Sequence, residues 1–491
     1  MKRFALNGKG MNALACLPLL TLSCINQTEI TDNTRPNVLF IAVDDLKPMM
    51  GCYGDSLIKT PNLDKLAQTG VVFTNAHCQQ AVCAPSRASI LTGKRPDFTK
   101  IYDLKTLIRD KNPNIKTLPQ HFKENGYCTA AVGKVFDVRS VDNQHDSISW
   151  TIPYEPVKGA NSRGGGYVYE TRRFSTENPE VADSLTLDGR VLKRSSLLLK
   201  KIAENNSPFF LAVGFHKPHL PFVAPKKYWD LYDRNDFRVH PFQQHAKGAP
   251  GFAYQPGWEI RSIYEDISKT DKIPESKQLE LIHGYHACVS FIDQQIGLLL
   301  EQLNELGLRE NTIIVLCGDH GWHLGDHDMW CKHSNYEQAT RSPLIISFDD
   351  KYKGISHAPT EFVDVFPSIC DLAVVDLPGE MDGKSLVPIM DGKQNKVKDF
   401  AVSQFHRNGN LMGYSFRDED SRYIVWLKSN FKKDETQLFS EDLVVARELY
   451  DYKKDPMETI NVADKKEYAA TRKEWERKSL AFFQTQFVLK K

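Results

Sequence analysis

Neither sign of charge dominates this chain: 63 lysines and arginines stand against 62 aspartates and glutamates, for a net charge of +1. That balance excludes a global field drawing the protein to nucleic acid or to an anionic membrane, so an anionic ligand would need a local cluster of cations. Paired cysteines are also missing. The 10 cysteines include no CxxC and no knuckle spacing, which removes dithiol redox motifs and zinc ribbons. Internal repeats and low-complexity tracts are absent, so solenoids and disordered arrays are excluded. The N-terminal apolar stretch from Met11 to Leu22 is too short to span a bilayer as a stable helix.

What is present reads as an exported globular protein. A hydrophobic content of 41% with 25% charge is ordinary for one, and 491 residues accommodate two or three domains, or one large domain with an appendage. Lys2, Arg3 and Lys9 precede the apolar stretch, which ends in Thr21-Leu22-Ser23-Cys24. Residues 1–24 thus resemble a bacterial lipoprotein leader with a lipid anchor at Cys24, the alternative being ordinary cleavage and release. The expected location is the periplasm, membrane-anchored, or else secreted or on the cell surface. Export permits disulfides; Cys52 and Cys78 are one candidate pair, and reduced cysteines packed as small hydrophobes are the alternative.

Four nearly continuous apolar runs read as buried parallel strands: 36–43, 127–133, 209–215 and 312–318. Helical patterns near Leu118–Glu124, Leu185–Glu204 and Ser276–Leu306 precede the last three. The strands end in Asp44-Asp45, Lys134, His216-Lys217 and Asp319-His320 respectively. One strand ending in a charge means nothing. Four together predict an open α/β sheet with a ligand site beyond the carboxyl ends of its strands. Long excursions from Trp150 to Thr176, carrying Gly164-Gly165-Gly166, and from Lys226 to Asp271 read as irregular binding loops. After Gly392 the pattern turns to short alternating runs and a final helix, giving domains at 35–391 and 392–491, the second a smaller α+β unit.

The run Cys83-Ala84-Pro85-Ser86-Arg87, continued by Leu91-Thr92-Gly93, matches every fixed position of a signature. It resembles that of the sulfatase family, whose Cys is oxidised after synthesis to formylglycine. The resemblance implies an alkaline-phosphatase-like fold: a large mixed, mostly parallel sheet sandwiched by helices. It also implies a maturating enzyme as partner. A hydrated formylglycine at Cys83 would attack sulfur, and losing the second hydroxyl's proton would expel sulfate, an exit that a thiolate adduct lacks. Pro85 places Cys83 at a helix start, where free N–H groups favour anions.

Adjacent carboxylates repel unless a cation sits between them. Asp44 and Asp45 therefore read as half of a hard-cation site completed by Asp319 and His320. Oxygen ligands fit calcium or magnesium, and the resemblance implies calcium, held also by an oxygen of the hydrated formylglycine at Cys83. His320 is the odd member, since imidazole more often serves transition metals. By resemblance Arg87, Lys134 and Lys332 supply positive charge, and His216 or Lys332 protonates the leaving alkoxide. His216 fits better as an acid near neutral pH.

Within the family, the segments 133–136, 215–222 and 318–345 closely resemble the iduronate-2-sulfatases. That implies an exo-acting enzyme removing a 2-O-sulfate from a terminal uronic acid of heparan, dermatan or chondroitin sulfate oligosaccharides. The other readings are another sulfatase or phosphodiesterase of the superfamily, and a non-catalytic glycan-binding lipoprotein. One position departs: the relatives place a His after Gly-Lys-Val-Phe, and here it is Asp137. Either Asp137 acts as the base with a raised pKa, or His145 swings in, or the base is dispensable. For substrate contacts, including the uronate carboxylate, the candidates are Lys217, His219, Trp322, Arg341 and Arg163.

Overall fold

The four apolar runs lie side by side. In the computed structural model, which describes residues 35–154, 157, 174–205, 207–350, 352–429, 431 and 439–488, they are parallel strands in the order Cys128–Gly133, Phe209–Phe215, Asn37–Val43, Thr312–Gly318. Leu344–Ser347 adds antiparallel to the last, followed by Val71–Phe73 and Gly354–Ser356. The leader with Cys24, the Gly164–Gly166 run and Arg163 lie outside the described residues.

Alternate residues of the central strand face opposite layers, which explains its lack of polar positions after Asn37. Leu39, Ile41 and Val43 pack with Val191, Leu199 and Ile202 of helix Leu187–Ala203 and with Ile292, Ile296 and Leu299 of helix Glu275–Glu305. Val38, Phe40 and Ala42 pack with Ala88 and Leu91 of helix Cys83–Thr92, Phe122 of helix Leu118–Glu124 and Phe366 of helix Val365–Leu372. Each large buried side chain contributes about 2 kcal/mol of apolar transfer free energy, enough to hold the sheet rigid beneath the site at its edge.

The C-terminal part is an antiparallel meander of Ala401–Arg407, Leu411–Arg417, Ser421–Lys428 and Val444–Asp451. Trp475 and Phe483 of helix Ala469–Val488 cover one face, against Val402, Tyr414 and Phe416. The other face carries Ile424, Trp426 and Tyr450 onto Ala246, Ala253, Met329 and Tyr336. The excursion from 226 to 271 is thus partly ordered by the meander and is less irregular than its composition suggests. It holds the short helices Lys226–Trp229 and Trp258–Ile263. Cys52 and Cys78 do not pair: each is a free thiol.

Candidate active site

The carboxyl ends of the central strands bring their charged residues to one place. Asp44 N–H still bonds the Phe215 carbonyl, and Asp319 N–H the Val43 carbonyl, so ladder geometry carries these residues past the sheet edge. Asp45 then turns out of the strand with φ 57°, a backbone conformation held because its N–H donates to Asp319 Oδ1 (3.0 Å) and its carbonyl accepts from Tyr285 Oη (2.8 Å). Gly133, at φ 77°, and Gly214 let two strands close in. A Cβ on Gly133 would lie 2.1 Å from the Gly214 carbonyl oxygen, and that approach lets Lys134 N–H bond the same carbonyl. Lys332 is thrown inward from a loop whose flanking residues, Cys331 and His333, both have φ 69°. Gln255 Nε2 braces this loop by donating to the carbonyls of Trp330 and Lys332.

Cys83 is buried at the first position of helix Cys83–Thr92, with its Sγ 3.5 Å from His320 Nε2. One turn on, Arg87 reaches three strand ends. Its Nε donates to Asp319 Oδ2 (2.9 Å), its Nη2 to Asp44 Oδ1 (3.0 Å), and its Nη1 to the carbonyls of Lys134 and Val135. Lys134 Nζ binds Asp44 Oδ2 at 2.6 Å. Lys332 Nζ lies 3.0 Å from both Asp45 oxygens, 3.3 Å from Glu259 and 5.0 Å from the Trp322 ring centre. Burial alone would raise the Asp44 carboxyl, but Lys134 and then Arg87 hold it well below its ordinary value. Asp45 goes the other way. Burial, joined by Asp44, Glu259 and Asp319, pushes it well above the carboxylate range against the pull of Lys332.

The donor set fits a hard cation. Asp44, Asp45, Cys83 and His219 offer ligand atoms within 4.8 Å of one another, as do Cys83, Asp319 and His320. Two imidazoles are oriented the same way: Nδ1 of His219 sits on the Leu220 carbonyl (2.6 Å) and Nδ1 of His320 on the Gly321 carbonyl (2.9 Å). Protons on those nitrogens leave both Nε2 lone pairs aimed at Asp45, 3.8 and 3.3 Å away. Lone pairs facing a carboxylate repel unless a cation lies between them. Charge makes the same point: with every carboxyl ionised, Asp44, Asp45, Asp319 and Glu259 outnumber Arg87, Lys134 and Lys332 by one, a crowding of negative charge that the raised Asp45 carboxyl reflects. A divalent ion reverses that sign and allows an anion to enter.

His216 follows strand Phe209–Phe215 beside Asp44 in register. Its N–H and that of Lys217 donate to Asp188 (2.7 and 3.0 Å), and its Nδ1 lies 3.3 Å from Asp188 Oδ1. A proton on Nδ1 leaves Nε2 free to exchange one with a ligand. Asp188 and Glu259 escape sequence reasoning. Asp188 sits inside an ordinary helix start, and Glu259, in the 226–271 excursion, belongs to no motif. Trp322 lies under Lys332, fully buried against Phe222.

Other expectations change. Lys217 is buried, with its ammonium on the carbonyls of His219 and Pro221. Arg341 Nε donates to the Thr74 carbonyl. His219 stands among the candidate metal ligands, 3.4 Å from Glu259. Asp137 is no raised-pKa base. Burial would lift it, but hydrogen bonds from Arg139 and the charge of Lys134 bring it down to about 2. His145 packs against Tyr154 with the rings tilted, their centres 3.9 Å apart.

Comparison with known proteins agrees with this geometry. The family model described as Sulfatase matches residues 36–375, and that described as N-sulphoglucosamine sulphohydrolase, C-terminal, matches 325–485. Iduronate 2-sulfatase of Homo sapiens is 35% identical over 87% of this chain and 90% of its own. A sulfatase of Formosa agariphila is 31% identical over 93% and 91%. A solved structure in complex with D-glucosamine-2-N,6-O-disulfate superposes with a TM-score of 0.74 at 24% identity, covering 92% of this chain and 98% of that one; a likeness at that identity speaks for the fold.

Proposed function

The chain belongs to the sulfatase family, and on that premise we propose that it is an exo-acting sulfatase removing the 2-O-sulfate from a non-reducing-end uronic acid of a glycosaminoglycan oligosaccharide. The observation carrying the sulfate-ester chemistry is the placement of Cys83 at a helix N-terminus among Arg87, Lys134 and Lys332, beside a cluster of hard-cation donors. Support for the uronate comes from the 35% identity to iduronate 2-sulfatase over most of both chains, together with the segments 215–222 and 318–335.

Asp44, Asp45, Asp319, His320 and position 83 would hold calcium, the choice that mainly oxygen donors favour. Bound there, calcium supplies charge for the sulfate oxygens, while formylglycine at position 83 supplies a hydrated aldehyde as nucleophile. The chain's own residues do the rest. Lys134 and Lys332 offer ammonium groups to the sulfate, and Arg87 locks the nucleophile's helix to the three strand ends. His216 delivers its Nε2 proton to the leaving sugar oxygen while Asp188 holds Nδ1 and stabilises the charged ring. A maturating enzyme acting on Cys83 and a lipid anchor at Cys24 in the periplasm complete the proposal.

The test is turnover of two sulfated oligosaccharides by matured enzyme. A 2-sulfated uronate at the non-reducing end should be desulfated, and the same residue placed internally should be spared. Action on 6-O-sulfated glucosamine alone would overturn the uronate assignment. Preference for a phosphate diester over the matched sulfate ester would overturn the reaction class.

A further inference from the structure

The residue that departs from the family pattern holds an arginine. Asp137, buried, accepts three hydrogen bonds from Arg139: from Nε at 2.8 Å and the backbone N–H at 3.0 Å, both to Oδ1, and from Nη2 at 2.7 Å to Oδ2. The fork engages one edge of the guanidinium. Nη1 has no partner among the described residues, and the side chain is 49% exposed. An ordinary exposed ion pair would contribute little. Here the carboxylate is buried, anionic and fixed, so a flexible cation is held at one place on the rim.

That place adjoins the active site. Asp137 lies 4.0 Å from Lys134 Nζ, which binds Asp44 at 2.6 Å. Signs therefore alternate from rim to metal cluster: Arg139, Asp137, Lys134, Asp44. The residue expected from the family pattern, a histidine, could not brace a guanidinium this way. A uronic acid carries a carboxylate besides its 2-O-sulfate, and that carboxylate needs a cation of its own. Among the described cationic candidates, Lys217 is engaged by carbonyls, His219 faces the metal donors and Arg341 serves Thr74.

We propose that Arg139, braced by Asp137, is a specificity residue that binds the carboxylate of the terminal uronic acid through the free edge of its guanidinium. Planar donors matched to a planar acceptor make this pairing selective for carboxylate over a neutral hydroxymethyl group. The inference rests on the uronate reading above, and its experiment separates the two.

The probes are the unsulfated product disaccharide with a non-reducing-end uronate and its carboxyl-reduced counterpart, titrated calorimetrically into the calcium-loaded full chain. The parent protein should bind the uronate about tenfold more tightly or better. Arg139→Gln should abolish that preference without changing affinity for the reduced sugar, and Arg139→Lys should restore part of it. Asp137→Asn should weaken the preference by loosening the brace. A preference undiminished in folded Arg139→Gln, or its absence from the parent protein, overturns the inference. Turnover of the sulfated disaccharide judges the function independently. Carboxylate preference without 2-O-desulfation defeats the function alone, and desulfation without the preference defeats the role of Arg139 alone.

Discussion

At residue scale, the Cys83 thiol is unsuited to act as it stands. Burial, reinforced by Asp44, pushes it well above its ordinary pKa, so the nucleophilic thiolate is suppressed where an anion must be attacked. Conversion to formylglycine, as proposed above, would remove that obstacle. The native peptide spanning position 83 should be about 18 Da lighter than the encoded thiol form in mass spectrometry, an oxidation outside the usual sulfenic series. Only thiol in an active preparation would sink the assignment. Asp188 supports a second test. Asp188→Asn keeps one acceptor oxygen, enough for only one of the His216 and Lys217 N–H groups, and removes the charge facing the His216 ring. Turnover of a sugar sulfate should fall roughly 10- to 100-fold, with little loss on an aryl sulfate whose leaving group scarcely needs a proton. Equal losses on both would show that Asp188 merely holds the loop.

At the scale of elements, the site is a property of strand ends, which is why so much of it was legible in the sequence. Strands Phe209–Phe215 and Thr312–Gly318 begin and end where their apolar runs do, and Asp319-His320 follows directly. A doubly buried strand has no polar position until it leaves the sheet, so its first charge marks the edge. Glu259 was not legible, because Trp258–Ile263 is a short helix positioned by packing within an irregular excursion. The role of Asp137 stayed open among three alternatives for a related reason: its partner, Arg139, belongs to a turn whose geometry no periodicity announces. The strand-end account also predicts metal behaviour. Metal analysis should find about one calcium per chain, the stoichiometry of a single oxygen-rich site. Asp319→Asn should lose the ion and turnover together while the far-ultraviolet spectrum stays near that of the parent. Chelation should lower both activity and Tm, with calcium restoring them. Recovery with zinc alone would reverse the choice of metal.

At the scale of the whole molecule, the α/β part and the meander are joined by a buried ionic latch. Glu361 accepts from Arg95 Nε (3.0 Å) and Nη2 (2.7 Å), and from Lys398 Nζ (2.6 Å), which also binds Asp364 at 2.6 Å. Lys398 leads into the first meander strand, Ala401–Arg407, and Arg95 follows the helix that begins at Cys83, so the latch ties the meander to the active-site helix. Burial would raise Glu361, but Arg95 and Lys398 bring it down to about 2 from the ordinary 4.5. The sign follows from the depressed value. The unfolded chain binds the proton first on acidification, so the latch contributes fully above about pH 4.5 and is lost as pH falls towards about 2. Glu361→Gln leaves Arg95 and Lys398 under-paired in a buried place and should cost about 3–5 kcal/mol at pH 7. In denaturant titrations, the stability gap between parent and variant should hold constant from pH 8 to about 5, then narrow as pH drops further. A gap independent of pH down to 3 would show that Glu361 acts through packing. Isothermal unfolding at pH 7 should also reveal whether the meander leaves first in the variant, the expected outcome when its tie to the sheet is cut.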